Sequence, residues 1–127
     1  MGKEYLSLDK LEAYLTAREL SRSAWDVYQL LGWEDRKTMG NQFLEATDSV
    51  GANIAEGFGR FHFLDKAKFY YNARASLLES KHWLGLLAER GKTSSPHKEK
   101  FLNHYKNLRP CLAGLINSVV EAKNEKS

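Results

Sequence analysis

The chain of 127 residues has the length of one domain, and 43% hydrophobic with 28% charged residues is ordinary globular usage. A single cysteine excludes an intrachain disulfide scaffold, and the composition excludes collagen, low complexity and wholesale disorder. The formal charge of +3 hides a division: residues 1–63 carry a net −3 and residues 64–127 a net +6.

The N-terminal MGKEYLSLDK has no apolar core and no small-residue cleavage site, and Leu6 breaks the myristoylation pattern. No apolar run approaches the roughly 18–20 residues that span a bilayer. These features, with a free Cys111, predict a cytoplasmic protein.

Four helices are predicted in chain order. The first covers residues 9–31, with Asp9 as N-cap and Glu12 completing a capping box. Ala13, Ala17, Leu20, Ala24, Val27 and Leu31 step 4-3-4-3-4 along one face, and Gly32 stands as the C-terminal glycine. Residues 33–37 read as a loop.

The second helix covers residues 38–56. Met39, Phe43, Ala46, Val50 and Asn53 form its apolar stripe, and Gly57 and Gly59 end it, Gly57 by the left-handed conformation glycine allows. The third covers residues 65–90, with a broad apolar face that includes Ala67, Tyr70, Tyr71, Ala75, Leu78 and Leu86, and stops at Gly91. The fourth covers residues 96–121, with Ser95 as N-cap and Pro96 in its first turn. Its stripe is Phe101, Tyr105, Leu108, Leu112, Leu115 and Val119. Pro110 lies inside that register, which predicts a kink near Pro110 rather than two separate helices.

Short connections between helices of this length predict a single antiparallel up-down-up-down four-helix bundle, all-α, over residues 1–127. No segment alternates as a strand does.

The stretch Ser49–Arg60, SVGANIAEGFGR, is the most distinctive. With Ala73, Arg74, Ser76, Leu78 and Glu79, and with Leu112, Gly114, Leu115, Ile116 and Ser118, it resembles the four-helix-bundle proteins encoded in bacterial 23S ribosomal RNA intervening sequences. The resemblance covers residues 39–118 and implies a four-helix bundle without catalytic residues. It also implies likeness to the accessory protein of diversity-generating retroelements, a pentameric barrel that binds nucleic acid and reverse transcriptase. Leu44 and Glu45 replace a frequently basic pair of that family, and Asp48 replaces an apolar residue.

Asn53 on an apolar stripe needs a hydrogen bond and reads as a register-fixing polar group. Glu56 at a helix C-terminus opposes the macrodipole and calls for a cation, Arg74 or Arg60, that would pin the second helix to the third. Asn53, Glu56, Gly57, Arg74 and Glu79 are therefore the structural signature. Glu79 and His82 form one E-x-x-H, but a di-metal bundle needs two, so no metal site is expected. No nucleophile–base arrangement, phosphate-binding loop or cofactor motif appears, and a non-enzymatic role without cofactor is expected. His97 and His104 share a face by chance.

Phe58, Phe61, Phe63, Phe69, Tyr70 and Tyr71 cluster at the second turn and divide between core and subunit interface, with Phe58, Phe61 and Phe63 as the candidate interface. Arg60, Lys66, Lys68, Arg74, Lys98, Lys100, Lys106 and Arg109 are the candidate nucleic-acid-binding residues. The expected partners are copies of the chain itself, as a pentamer by the resemblance, and structured RNA or another nucleic acid. An adaptor for a protein partner is the alternative.

Overall fold

A computed structural model describes residues 7–126, with side chains through Glu125. The extreme N-terminal residues that bear on targeting lie outside the described residues. Among the described residues there are four long helices and no strand. Among the described residues, no helix is long and apolar enough to cross a membrane.

Helix α1 spans Glu12–Gln29, α2 Asn41–Phe58, α3 Phe63–Glu89 and α4 Ser95–Lys126. Each packs on two others, in the cyclic order α1, α2, α3, α4 and back to α1. Contacts between neighbouring helices run in reverse order along the two chains of residues. A Cβ on Gly51 would meet Ala17 near the start of α1, while Gly40 lies against Tyr28 and Leu31 near its end. Lys100 reaches Asp26 late in α1, and Cys111 meets Glu12 at its beginning.

The core stripe of α1 is as predicted: Ala13, Ala17, Leu20, Ala24, Val27 and Leu31 are all buried. On α4, Phe101, Tyr105, Leu108, Leu112 and Val119 are buried, while Ile116 takes the core place predicted for Leu115. Phe43 of α2 and Phe101 of α4 meet across the centre with ring centroids 5.3 Å apart. Thr47 and Ser80 are buried and donate their hydroxyls to the carbonyls of Phe43 and Leu77, so neither leaves an unpaired polar group.

The predicted face of α3 needs correction. Its buried stripe is Tyr70, Ala73, Leu77, Ser80, Leu84 and Leu87, whereas Tyr71, Ala75 and Leu78 are exposed. The helix carries apolar residues on two opposite sides, so periodicity alone selects no single face.

The termini also differ from the expectation. Residues 8–10 form a 3₁₀ turn opened by Ser7, whose hydroxyl bonds Asp9, and α1 begins after Leu11 without a capping box. Residues 33–37 are not a loop. Trp33–Asp35 is one α-helical turn, Arg36–Gly40 a π-helical turn, and the run continues directly into α2. Arg36 supports this corner by donating to the Gln29 carbonyl at 2.8 Å and stacking over Tyr28. Ser94, not Ser95, precedes α4, and its hydroxyl accepts the His97 N–H. The helix runs on through Pro110, whose side chain is exposed. The Lys106 carbonyl that Pro110 cannot pair with is thus on a solvated side, where water can satisfy it. The alternative of two shorter helices is excluded.

Gly57 does not end α2 by a left-handed turn; the only positive-φ residue described is Gly91 (φ 68°). Gly91 closes α3 in a Schellman motif: its N–H reaches the Ala88 carbonyl and the Lys92 N–H reaches Leu87. Gly57 lies within α2 and is buried. A Cβ there would sit 2.6–2.8 Å from two carbons of the Tyr70 ring and 3.1 Å from Phe69 Cβ. It is glycine because α3 passes too close for a side chain. Gly57→Ala should therefore destabilise the fold by about 1–3 kcal/mol despite the better helix propensity of alanine. Urea unfolding measures this, and adding Tyr70→Leu should recover part of the loss.

Candidate nucleic-acid interface

Of the signature residues, Glu56 and Gly57 stand at the turn between α2 and α3, while Asn53, Arg74 and Glu79 lie along the two helices, in roles partly different from those predicted. Glu56 pairs with Arg60 at 2.8 Å, four residues on, and not with Arg74. Arg60 also lies 4.8 Å over the Phe69 ring. The link from α2 to α3 thus runs from a carboxylate through a guanidinium to an aromatic face. Arg74 instead stacks over Tyr71 at 4.9 Å. Asn53 is half-buried at the edge of the core stripe and donates to the Ser49 carbonyl within its own helix. Glu79 accepts from the Trp83 indole N–H at 3.0 Å.

Lys66 is committed to structure. Its ammonium donates to the carbonyls of Gly57 (3.2 Å) and Phe58 (3.0 Å), capping the last turn of α2. Partial burial lowers its pKa from the ordinary lysine value. Its charge is therefore turned inward and is not offered to a phosphate.

The remaining cations fall on different sides. Lys100 faces α1 and pairs loosely with Asp26 at 3.9 Å. Lys106 points outward from α4 and lines a shallow surface with Lys100. Lys81 and Lys98 line the groove between α3 and α4, together with Leu78, His82 and, at its end, Glu89. Arg74 lies two turns before Lys81 on the same face of α3, and Arg109 three turns beyond Lys98 on the same face of α4. Among the described residues, none of Arg74, Lys81, Lys98 and Arg109 has a carboxylate within ion-pair distance. Lys81, which lies 5.1 Å over the Tyr105 ring, is absent from the predicted set. Its seven-residue spacing from Arg74 was the signal that could have found it.

Phe58 and Phe63 pack partly against the core, whereas Phe61 is 88% exposed. Of the six aromatics in the predicted cluster, Phe61 and Tyr71 are exposed, Tyr70 is buried and the other three are half-buried.

Among the described residues, no three His, Cys, Asp or Glu side chains gather where a metal could sit. His82 packs edge-on against Trp83. Burial first, and the charge and hydrogen bond of Glu12 second, push the Cys111 thiol above its ordinary pKa. A protonated thiol is a poor nucleophile.

The model of the 23S rRNA-intervening sequence protein family matches residues 9–114, so the likeness begins before the 39–118 read from the motifs and takes in α1 as well. The chain belongs to that family. The 23S rRNA-intervening family chain is also similar in structure to a protein of unknown function from the S23 ribosomal protein family of Bacteroides thetaiotaomicron VPI-5482. That likeness has a TM-score of 0.75 at 23% identity and covers 83% of this chain and 95% of the other. No curated protein matches the sequence.

Lys66→Met should cost about 1–2 kcal/mol of stability through the lost caps, read by thermal or urea unfolding, and leave any RNA affinity of the folded protein unchanged. Cys111 should react with a disulfide reagent at pH 8 several-fold more slowly in the folded protein than in urea.

Proposed function

We propose that this family member is a non-enzymatic, cytoplasmic, antiparallel four-helix bundle that works as a homo-oligomer and binds structured RNA. The observation that supports the RNA reading is the side shared by α3 and α4, where Arg74, Lys81, Lys98 and Arg109 have no carboxylate partner. Phosphate recognition needs several such charges on one surface, spaced along helices rather than focused in a pocket. Arg60 is paired with Glu56 and, like Lys68, lies over Phe69 on the α2 side of α3, so neither belongs to this surface. Exposed Tyr71, beneath Arg74, offers a flat face on which an unpaired base can stack. Lys100 and Lys106 lie toward α1 and would contribute only to a partner that wraps α4.

An adaptor role for a protein partner is the second reading. It is favoured by Leu64 and Leu78, which are 67% and 65% exposed on α3.

Titration of a labelled hairpin RNA tests the first reading. Four phosphate contacts predict roughly a hundredfold loss of affinity between about 50 and 200 mM salt. The variant Arg74→Ala/Lys98→Ala/Arg109→Ala should flatten that dependence while keeping the helical signal. Binding that is absent at low salt, or present and unaffected by the triple change, sinks this assignment.

A further inference from the structure

Between α1 and α2 the bundle leaves a groove of about 780 Å³, a volume in the range that holds a small organic ligand. Its floor is made of small residues. The two helices come close at Gly51, where a Cβ would lie 3.7 Å from that of Ala17, and Ala52 and Ala55 continue the floor along α2.

Three side chains stand out on its rims. Trp25 of α1 keeps 47% of its surface in water. Its ring is nonetheless held, stacked 5.5 Å from Tyr28 at 19°. Tyr28 in turn is fixed by a hydrogen bond to Asn41 at 2.8 Å and by the Arg36 guanidinium 4.9 Å over its ring. The indole is thus a rigid wall of the groove with surface to spare. Leu44, on α2, supplies the wall opposite. Of the carboxylates and the Arg and Lys side chains that line the groove, Arg22 pairs with Glu19 and Lys100 with Asp26. Arg18 on the α1 rim and Asp48 on the α2 rim are left. Neither has an opposite charge within ion-pair distance among the described residues. Arg18 donates only to the Tyr14 hydroxyl, at 3.1 Å.

The helix register sets the spacing of the three. With Gly51 against Ala17 and Gly40 against Tyr28, Asp48 is level with Leu20. Arg18 is about 3 Å from that level along the axis, and Trp25 about 7 Å from it in the other direction, at 1.5 Å per residue. A cation and an anion side by side, with a flat apolar wall further on, match one ligand pattern. We infer that this groove binds a free aromatic α-amino acid, with its carboxylate on Arg18, its ammonium on Asp48 and its ring against Trp25. The guanidinium fork fits a carboxylate, and an ionised Asp48 accepts hydrogen bonds only, which selects the ammonium. The ring extends the Trp25–Tyr28 stack. A nucleotide would set its phosphate charge near Asp48, and a simple amine would leave Arg18 unmatched. The site lies on α1 and α2, apart from the Arg74, Lys81, Lys98 and Arg109 surface, and does not depend on the RNA reading.

NMR titration of isotope-labelled protein with L-phenylalanine tests it, with circular dichroism confirming the helicity of each variant. The Trp25 indole N–H resonance should shift, and those of Trp33 and Trp83 should not. The dissociation constant should be about 0.1–1 mM, as an open groove gives a ligand of about a dozen heavy atoms. L-Alanine, which lacks the ring, should bind about tenfold more weakly or less. Trp25→Leu, Asp48→Asn and Arg18→Gln, all at exposed positions, should each weaken L-phenylalanine about tenfold, the first followed by other groove resonances. Asp48→Asn should not weaken 3-phenylpropionate, which has no ammonium, and Arg18→Gln should not weaken phenethylamine, which has no carboxylate. A Trp25 resonance unmoved at about 10 mM L-phenylalanine, ten times the weakest expected constant, overturns the site. Binding that L-alanine matches, or that Asp48→Asn and Arg18→Gln leave unchanged, overturns the ligand assignment.

Discussion

The approach of α3 to α2 at Gly57 is the constraint on which the rest of this structure depends. The Tyr70 ring occupies the space where a side chain at position 57 would go, and Tyr70 is itself almost fully buried. That contact lies about two turns into α3 and at the last turn of α2, so it sets the angle at which the third helix leaves the second. Two cations then close the joint. Lys66 satisfies the Gly57 and Phe58 carbonyls that the end of α2 leaves open, and Arg60 joins Glu56 to the Phe69 face. With α3 held this way, Ala73, Leu77, Leu84 and Leu87 face the core. Leu64, Tyr71 and Leu78 are turned outward as a consequence.

Charge follows the same geometry. By sequence, the chain divides into an acidic first half and a basic second half. In space the division runs along α3: Glu79, from the basic half, joins Glu45 and Asp48 on one side, and Arg74 and Lys81 join Lys98 on the other.

Much of the fold was legible in the residues. The stripes of α1 and α4 step 4-3-4-3-4 without a gap, and the predicted residues are those in the core except that Ile116 replaces Leu115. Gly91 was read correctly because a Schellman turn is a local event. Other local readings failed where a distant contact decided. Residues 33–37 look like a charged loop, yet Arg36 finds Tyr28 and Gln29 of α1 and the segment is helical. Gly57 looks like a helix stop, yet it is glycine for the sake of Tyr70. The family-like motif was legible as a motif; the reason for its glycine was not.

The candidate site was legible only as a set of residue types. Eight cations were named from sequence; of these Lys66 is turned into the fold and Arg60 is held by Glu56, while Lys81 was not among the eight. The sequence by itself determined four helices, their approximate lengths, the core faces of the first and last, and membership in the intervening-sequence family. Periodicity of 3.6 residues and short breakers are local, and they suffice for that. Only the tertiary structure decided which side of α3 is core and which carboxylate meets which cation. Both depend on a neighbouring helix passing within side-chain reach, and a helix that is apolar on two sides carries no local preference between them.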